Sequence, residues 1–306
     1  MSSPDANRLS SRIDLRHLRY FVAVAEAGSI TGAAERLHLS QPPLSVTIKE
    51  LEQTLDVQLF ERHRNGIFLT EAGKAMLEEA RSVLARAARG IEHVMQIGRG
   101  EMGEVRVGIV SSIMWGDFPQ MLKAFHLRYP QVQWSLRESN PADQVIALHD
   151  HRIDVGVWRG DSQPFPGLER ILISKDKLMV VLPADHPQAR RRKVSLLALK
   201  SLPYLSLNTT MSSIAADSMT AMRGLGLTPE VAHVAREPQT LLALAANGLG
   251  FALLAGELAR ISWPGVVFKP VEEELPAADL YLHVREQAPS PAVARFIEVM
   301  RDVAKL

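Results

Sequence analysis

The chain has no cysteine among its 306 residues, which removes disulfides, thiolate metal sites and cysteine nucleophiles from consideration. It has no long apolar run either, nothing near the roughly eighteen uninterrupted apolar residues that a membrane span requires. The first twelve residues, Met1 to Arg12, are polar and contain no apolar core of the kind that opens a secretory signal. These absences lead us to expect a cytoplasmic protein. An excess of one charge is also missing. The formal net charge is +1, and up to Thr70 eight Lys and Arg stand against eight Asp and Glu. Composition alone therefore does not announce a nucleic-acid binder, and any such function has to rest on how the residues are arranged. No repeat of 20 to 50 residues is present, and the basic run Arg190 to Lys193 reads as a solvated loop. The length suits two or three domains with a sizeable core.

Three zones separate by pattern: a helix-rich block to about residue 69, an alanine-rich helical stretch from 70 to about 98, and strand–helix alternation from 103 onward. In the first zone Leu15, Leu18, Phe21, Val22 and Ala25 share one helical face, with Asp14 as N-cap and Gly28 as the stop. A short second helix fits 31–38, with Thr31 as its cap and Ala33, Ala34 and Leu37 facing a neighbour. After the turn at 38–40, Ser40 is expected to cap a third helix that carries Pro42 and Pro43 in its first turn and turns Leu44, Ile48, Leu51 and Leu55 inward.

The other face of that third helix carries Gln41, Pro42, Ser45 and Lys49. A Gln can hydrogen-bond a base edge, whereas Ser and Lys suit phosphates. Segments 58–60 and 67–69 then flank Arg64-Asn65-Gly66, where Asn-Gly fits a tight hairpin. Arg62 and Arg64 would carry guanidinium groups on this wing to phosphates or a minor groove. A lone Asn-Gly or a lone Gln is usually an ordinary surface feature. Three short helices, an outward polar row and a basic wing in this order are jointly specific for DNA.

These residues carry a resemblance. Arg16-His-Leu-Arg-Tyr-Phe-Val-Ala-Val-Ala-Glu, Gly28-Ser-Ile-Thr-Gly-Ala-Ala-Glu-Arg-Leu, Ser40-Gln-Pro-Pro-Leu-Ser and Leu59-Phe-Glu-Arg, followed by Leu69-Thr-Glu-Ala-Gly, resemble the LysR-type transcriptional regulators. The likeness is tight over the first seventy-odd residues and continues in layout and length. The family often carries Arg after the recognition-helix Ser; Val46 stands there in this chain, which leaves one expected phosphate contact unaccounted for. The resemblance implies a multi-domain regulator: an all-α winged helix-turn-helix plus linker helix, then an α/β two-lobed, periplasmic-binding-protein-like domain holding an effector between its lobes. The expected boundaries are a disordered extension over 1–12, the DNA-binding domain over 13–70, the linker helix over 71–98, a hinge over 99–103 and the effector-binding domain over 104–306. Lobe I would span about 104–175 and 278–306, and lobe II about 176–277.

In the linker, Leu77, Ala80, Leu84, Ala87, Ile91 and Val94 alternate spacings of three and four, the seam of a coiled coil. The stripe implies a partner helix, with packing onto its own chain as the alternative. A dimer would pair two recognition helices over a roughly palindromic site. The resemblance extends this expectation to a homotetramer, with RNA polymerase as a further partner. Gly98, Gly100 and Gly103 fall within six residues and are expected to break the helix and serve as the hinge.

Beyond the hinge, strands are expected near 105–109, 132–138, 154–157, 177–182, 204–207, 230–234, 250–254 and 280–284, and helices include 115–129 and 142–150, as in open α/β sheets. Ligands in such sheets sit beyond the carboxyl ends of the strands. That rule selects Ser111, Ser112, Ser139, Asn140 and Trp158, and in the second lobe Asn208, Thr209 and Thr210 at a helix start. Each of the small polar residues is equally able to be a helix cap, and Trp158 can equally be core. Trp158 beside Arg159 would suit a carboxylate or an aromatic effector. His149-Asp150-His151 has ligand-like spacing but no third ligand near in sequence, so no metal is expected there. The Gly224-Leu-Gly and Gly248-Leu-Gly segments lack the spacing of phosphate loops, and no cofactor and no catalytic residue is expected. Two other classes stay open at this point: a small-molecule binding protein whose N-terminal block mediates assembly, and an enzyme with an acid–base pair in the α/β cleft. The missing signal segment counts against the first and the missing pair against the second.

Overall fold

The structure is a computed structural model and describes residues 12–63, 66–160, 165–210 and 212–304, with the Arg62 side chain also outside the description. The chain forms two compact units, Met1–Met95 and Gln96–Leu306. All but Arg12 of the extension expected over 1–12 lies outside the described residues.

The first unit opens with α1 (Leu15–Ala27). Its Asp14 carboxylate accepts from the backbone N–H groups of Arg16 at 2.9 Å and His17 at 3.1 Å, and Gly28 ends it at φ 60°. Leu18, Phe21 and Val24 are buried, whereas Leu15 lies at the exposed edge of the expected face. Helix α2 (Ile30–Arg36) starts earlier than the pattern suggested. Ser29, not Thr31, is its cap, because the Ser29 hydroxyl accepts from Gly32 N–H at 3.1 Å. Helix α3 (Gln41–Leu55) has Ser40 at its N-cap position, but the Ser40 side chain makes no capping bond. The reason is chemical: an N-cap side chain bonds the N–H of the second or third helical residue, and here those are Pro42 and Pro43, which have none.

Strands β1 (Phe60–His63) and β2 (Gly66–Leu69) pair antiparallel, Phe60 opposite Leu69 and His63 opposite Gly66. The first wing strand therefore begins where the expected segment 58–60 ended. Glu52 of α3 fixes the wing, its carboxylate accepting from the N–H groups of Leu59 at 2.8 Å and Phe60 at 3.1 Å. Ile67 N–H donates to Gly28 C=O at 3.1 Å and ties the second strand to the α1–α2 turn. Thr70 starts α4 (Glu71–Arg99) by accepting from Gly73 N–H at 2.9 Å while donating to Gln58 C=O at 2.8 Å. Gly73 is required there, since a Cβ would run into the Leu59 carbonyl oxygen. Gly98 stays inside the helix; the break comes at Gly100, φ 72°.

The second unit has two lobes. In lobe I, β3 (Gly103–Ile109), β4 (Val132–Glu138), β5 (Val155–Arg159), β6 (Leu168–Ser174) and β12 (Leu280–Arg285) form one sheet in the order β4-β3-β5-β12-β6. The first three of these in spatial order are parallel, and β12 runs antiparallel to both β5 and β6. Helices α5 (Phe118–Arg128) and α9 (Pro291–Val303) share one core with this sheet, with Phe125 and Phe296 edge to face at 5.0 Å. Helix α6 (Pro141–His149) contributes to another, where buried Gln144 links the end of β4 to the middle of β5, donating to Ser139 C=O at 2.9 Å and accepting from Val157 N–H at 3.0 Å. Helix α5 starts at Phe118 rather than 115 because a 3₁₀ turn, Ser111–Trp115, and Gly116 precede it.

Lobe II holds β7 (Leu178–Pro183) between β10 (Ala252–Ala255) and β11 (Val266–Pro270), all antiparallel. Strands β8 (Tyr204–Leu207) and β9 (Val231–Ala235) form a parallel pair, joined to this sheet by a bridge between Tyr204 and Phe251. Helices α7 (Ser213–Gly224) and α8 (Pro238–Ala246) complete the lobe. The sequence pattern missed two strands. In β6 the adjacent Glu169 and Arg170 interrupt alternation, and β11 is an edge strand that ends in proline. Among the described residues no helix is long and apolar enough to cross a membrane.

Replacing Glu52 by Leu withdraws the acceptor of two wing N–H groups and is expected to destabilise the first unit by about 1–3 kcal/mol. Urea denaturation of the full chain monitored on that unit measures it, and an unshifted midpoint would show that water replaces the carboxylate at no cost.

Candidate functional site

Two regions present chemistry, one in each unit. On the first, α3 buries Leu44, Thr47, Ile48 and Leu51 and turns its opposite side to solvent. Gln41, Pro42 and Lys49 are exposed there, Ser45 is half-buried, and Val46 is 55 % exposed between them. Gln41, Ser45 and Lys49 recur every four residues, which places them along one line of the helix. Thr31 is exposed on α2. Arg64 and the Arg62 side chain, the basic residues expected on the wing, lie outside the described residues.

The α4 stripe divides. Ala80 is buried, and Leu77 and Leu84 are half-buried, in the core of their own unit. Ala87 is half-buried, while Ile91 and Val94 are 61 % and 67 % exposed. The first half of the stripe is thus core of its own chain, and the second half is left exposed.

The second region is a cleft of about 710 Å³ between the lobes. Lobe I lines it with Ser111 and Ser112 after β3, Arg137 to Asn140 at the end of β4, and Trp158 and Arg159 in β5. Lobe II supplies Ser212, Ser213 and Ile214 at the start of α7 and Arg236, Glu237 and Pro238 at the start of α8. Asn208, Thr209 and Thr210 are not part of the lining. Asn208 accepts from Thr210 N–H at 2.9 Å and from the Thr210 hydroxyl at 2.7 Å, closing a local turn, and the helix they were expected to open begins later, capped by Ser212. The Arg236-Glu237-Pro238 corner escaped the sequence reading. Its signal was present, since Pro is favoured in a first helical turn.

Trp158 and Arg159 lie within β5 rather than beyond it. Trp158 is fully buried and stacks on His283 with ring centroids 3.5 Å apart. Arg159 is 6 % exposed and committed to the protein's own carboxylates. It donates to Asp176 at 3.2 Å, to Glu257 and to Ala278 C=O at 3.0 Å. Glu257 in turn accepts from Asp117 N–H at 2.5 Å, and its own N–H donates to Asp176 at 3.0 Å. Burial holds the Asp176 carboxyl above its ordinary range even with the guanidinium facing it. Arg260 pairs with Asp117 at 2.5 Å, and Trp115 meets Trp263 at 5.3 Å. Lobe I residues thus meet lobe II residues through a dense polar floor, and Arg159 is not a free carboxylate receptor. His149, Asp150 and His151 are exposed at the end of α6, where Asp150 pairs with Arg152 at 3.1 Å.

Arg159→Met would leave Asp176 and Glu257 buried without their cation, and a loss of about 3–5 kcal/mol is expected. A lower thermal midpoint of the regulatory unit is the readout; an unchanged midpoint would refute the assignment. Burial, aided by the nearby Arg170 charge, pushes the His283 imidazole down to about 3. An unfolded His titrates near 6.5, so between about 6.5 and about 3 the unfolded chain binds the extra proton. The stability held by the neutral ring is therefore full above the unfolded value and is lost as pH falls toward the folded one. Between about pH 7.5 and about pH 5 the wild type should lose roughly 2 kcal/mol more than His283→Gln; equal losses in denaturant titrations would exclude this role.

Residues 15–74 match the family described as "Bacterial regulatory helix-turn-helix protein, lysR family", and residues 98–305 match the "LysR substrate binding domain". The HTH-type transcriptional regulator XapR of Escherichia coli (strain K12) is 37 % identical over 292 residues, covering 94 % of this chain and 98 % of that protein. The crystal structure of CbnR, a LysR family transcriptional regulator, superposes with a TM-score of 0.83 at 30 % identity, covering 94 % of this chain and all of the other. Full-length CbnR complexed with its target DNA gives 0.79 at 31 % identity, covering 96 % and 100 %. Such relatives are regulators and not enzymes. With both family matches in their expected places, a helix-turn-helix unit followed by a two-lobed α/β unit, the chain belongs to the LysR family of DNA-binding transcription regulators with an effector-binding domain.

Proposed function

We propose that this regulator reads promoter DNA with Gln41, Pro42, Ser45 and Lys49 of α3, assisted by Thr31 and by Arg62 and Arg64 of the wing. The single observation that carries this reading is the polar row Gln41, Ser45, Lys49 on the outer line of a helix whose inner face is core. Gln41 supplies base-edge hydrogen bonding, and Lys49 and the wing arginines supply phosphate contacts. Self-association uses the exposed end of the α4 stripe, Ile91 and Val94, because apolar side chains exposed at helical spacing on a long helix favour a partner helix. A dimer formed in this way pairs two recognition helices, and two dimers make the tetramer. Ser111, Ser112, Ser139, Asn140 and Trp158, together with the start of α7, receive a small-molecule effector, which acts only to the extent that it binds one lobe arrangement better than another. Promoter DNA and RNA polymerase, as partners, place the working protein in the bacterial cytoplasm.

The test is protection of the intergenic DNA upstream of the protein's own gene across a salt series. Gln41→Ala is expected to cost about 1–3 kcal/mol and to relax base preference, and Lys49→Ala to weaken binding uniformly and lower the salt slope by about 1. Val46→Arg should raise that slope by about 1. Binding indifferent to Gln41 and Lys49 would remove α3 from the interface. In sedimentation, the Ile91→Asp, Val94→Asp double variant is expected to shift to a smaller species.

A further inference from the structure

Glu237 occupies an unusual position for a carboxylate at a helix start. It is the N-cap residue of α8, where an acidic side chain gains by bonding its own helix's N–H groups, yet it makes no capping bond. Its carboxylate instead crosses the cleft and accepts from the hydroxyl of Ser111, at the carboxyl end of β3. That strand end is where an α/β sheet offers polar groups to a ligand. The cleft around it is also close to charge balance. Arg137, Arg152 and Arg236 are matched by Glu138, Asp143 and Glu237, and Arg159 is already neutralised by Asp176 and Glu257.

Taking the cleft as the effector site, as argued above, we propose that Glu237 is a resident carboxylate that fills, within the chain itself, the position beside Ser111 where a carboxylate-bearing ligand would otherwise bind, and that it sets the specificity of the cleft against such ligands. A second carboxylate brought beside the Glu237 side chain meets like charge and finds the Ser111 donor already taken. The ligand that meets this position presents an O–H or N–H donor to the Glu237 carboxylate, and the charge balance of the surrounding cleft suits an uncharged molecule. Glu237 is therefore a specificity-determining residue.

The test uses the full-length protein and sodium acetate as the probe, titrated against sodium chloride at equal ionic strength and read by tryptophan fluorescence and thermal shift. Wild type and Glu237→Gln, which keeps the volume, are expected to respond to acetate no more than to chloride. Glu237→Ala opens the position and should gain a saturable, acetate-specific response, weaker for the uncharged isostere acetamide and abolished in the Ser111→Ala, Glu237→Ala double variant. Glu237→Ser, which restores a good helix cap, is expected to behave as Glu237→Ala does and serves if the alanine variant melts too low. An acetate-specific response in wild type or Glu237→Gln overturns the proposal, as does its absence from both folded small-residue variants, or its survival without Ser111. Protection of DNA by the same preparations reports separately on the regulator reading, so the two ideas fail independently.

Discussion

The regulatory unit depends on one buried cation. Arg159 leaves the end of β5 and meets carboxylates from the crossover before β7 and from the turn after β10, so a single guanidinium links the lobe I sheet to two segments belonging to lobe II. Removing such charges from water is costly, and the cost is recovered only if every polar group is satisfied. The surrounding geometry reflects this demand. The Ala278 carbonyl takes a further guanidinium N–H, Ser213 donates to the Arg159 carbonyl oxygen at 2.8 Å, and Gly116 leaves room for the Glu257 carboxyl. A network of this kind tolerates few alternative arrangements, because moving one lobe breaks several charge-assisted bonds together. It therefore limits how the cleft above it can open.

The first unit is held differently, by apolar packing trimmed with a few backbone-directed side chains. Phe21 meets Phe60 at 5.2 Å across the base of the wing, and Glu52 and Thr70 fasten the strand that follows. The outward face of α3 is thereby positioned by residues of the core and of the base of the wing. The first half of the α4 stripe belongs to the same core.

Much of this was legible in the sequence because it rests on local rules. The Asp14 cap, the Gly28 stop, the apolar periods of α1 and α3 and the hairpin between them and α4 are each written within a few residues. What was not legible depends on distant partners. A Thr at a helix start and a Thr just inside it look alike in sequence, and only the structure shows that Ser29 is the cap, accepting from Gly32 N–H. Trp158 and Arg159 read as lying beyond the strand because a strand's end in sequence does not disclose that β12 continues alongside it, and nothing local shows that Asp176 and Glu257 lie opposite Arg159. The lobe I part of the cleft followed from the ends of β3 and β4. Its lobe II part did not: the small polar residues chosen there close their own turn, and the corner at Arg236 to Pro238 is chemically plain until Ser111 is brought across from 126 residues away.

The proline pair at the head of α3 has a consequence for how such a helix meets a polyanion. A helix begins with four N–H groups that have no partner within it, and these make its N-terminus a general anchor for phosphate. In α3 two of those four positions are Pro42 and Pro43. Half of the sequence-blind grip of the helix end is thereby deleted before any DNA arrives. In the DNA reading proposed above, contact made by this end falls to side chains, so the same two residues that stiffen the start of the helix shift its encounter with DNA from adhesion toward discrimination.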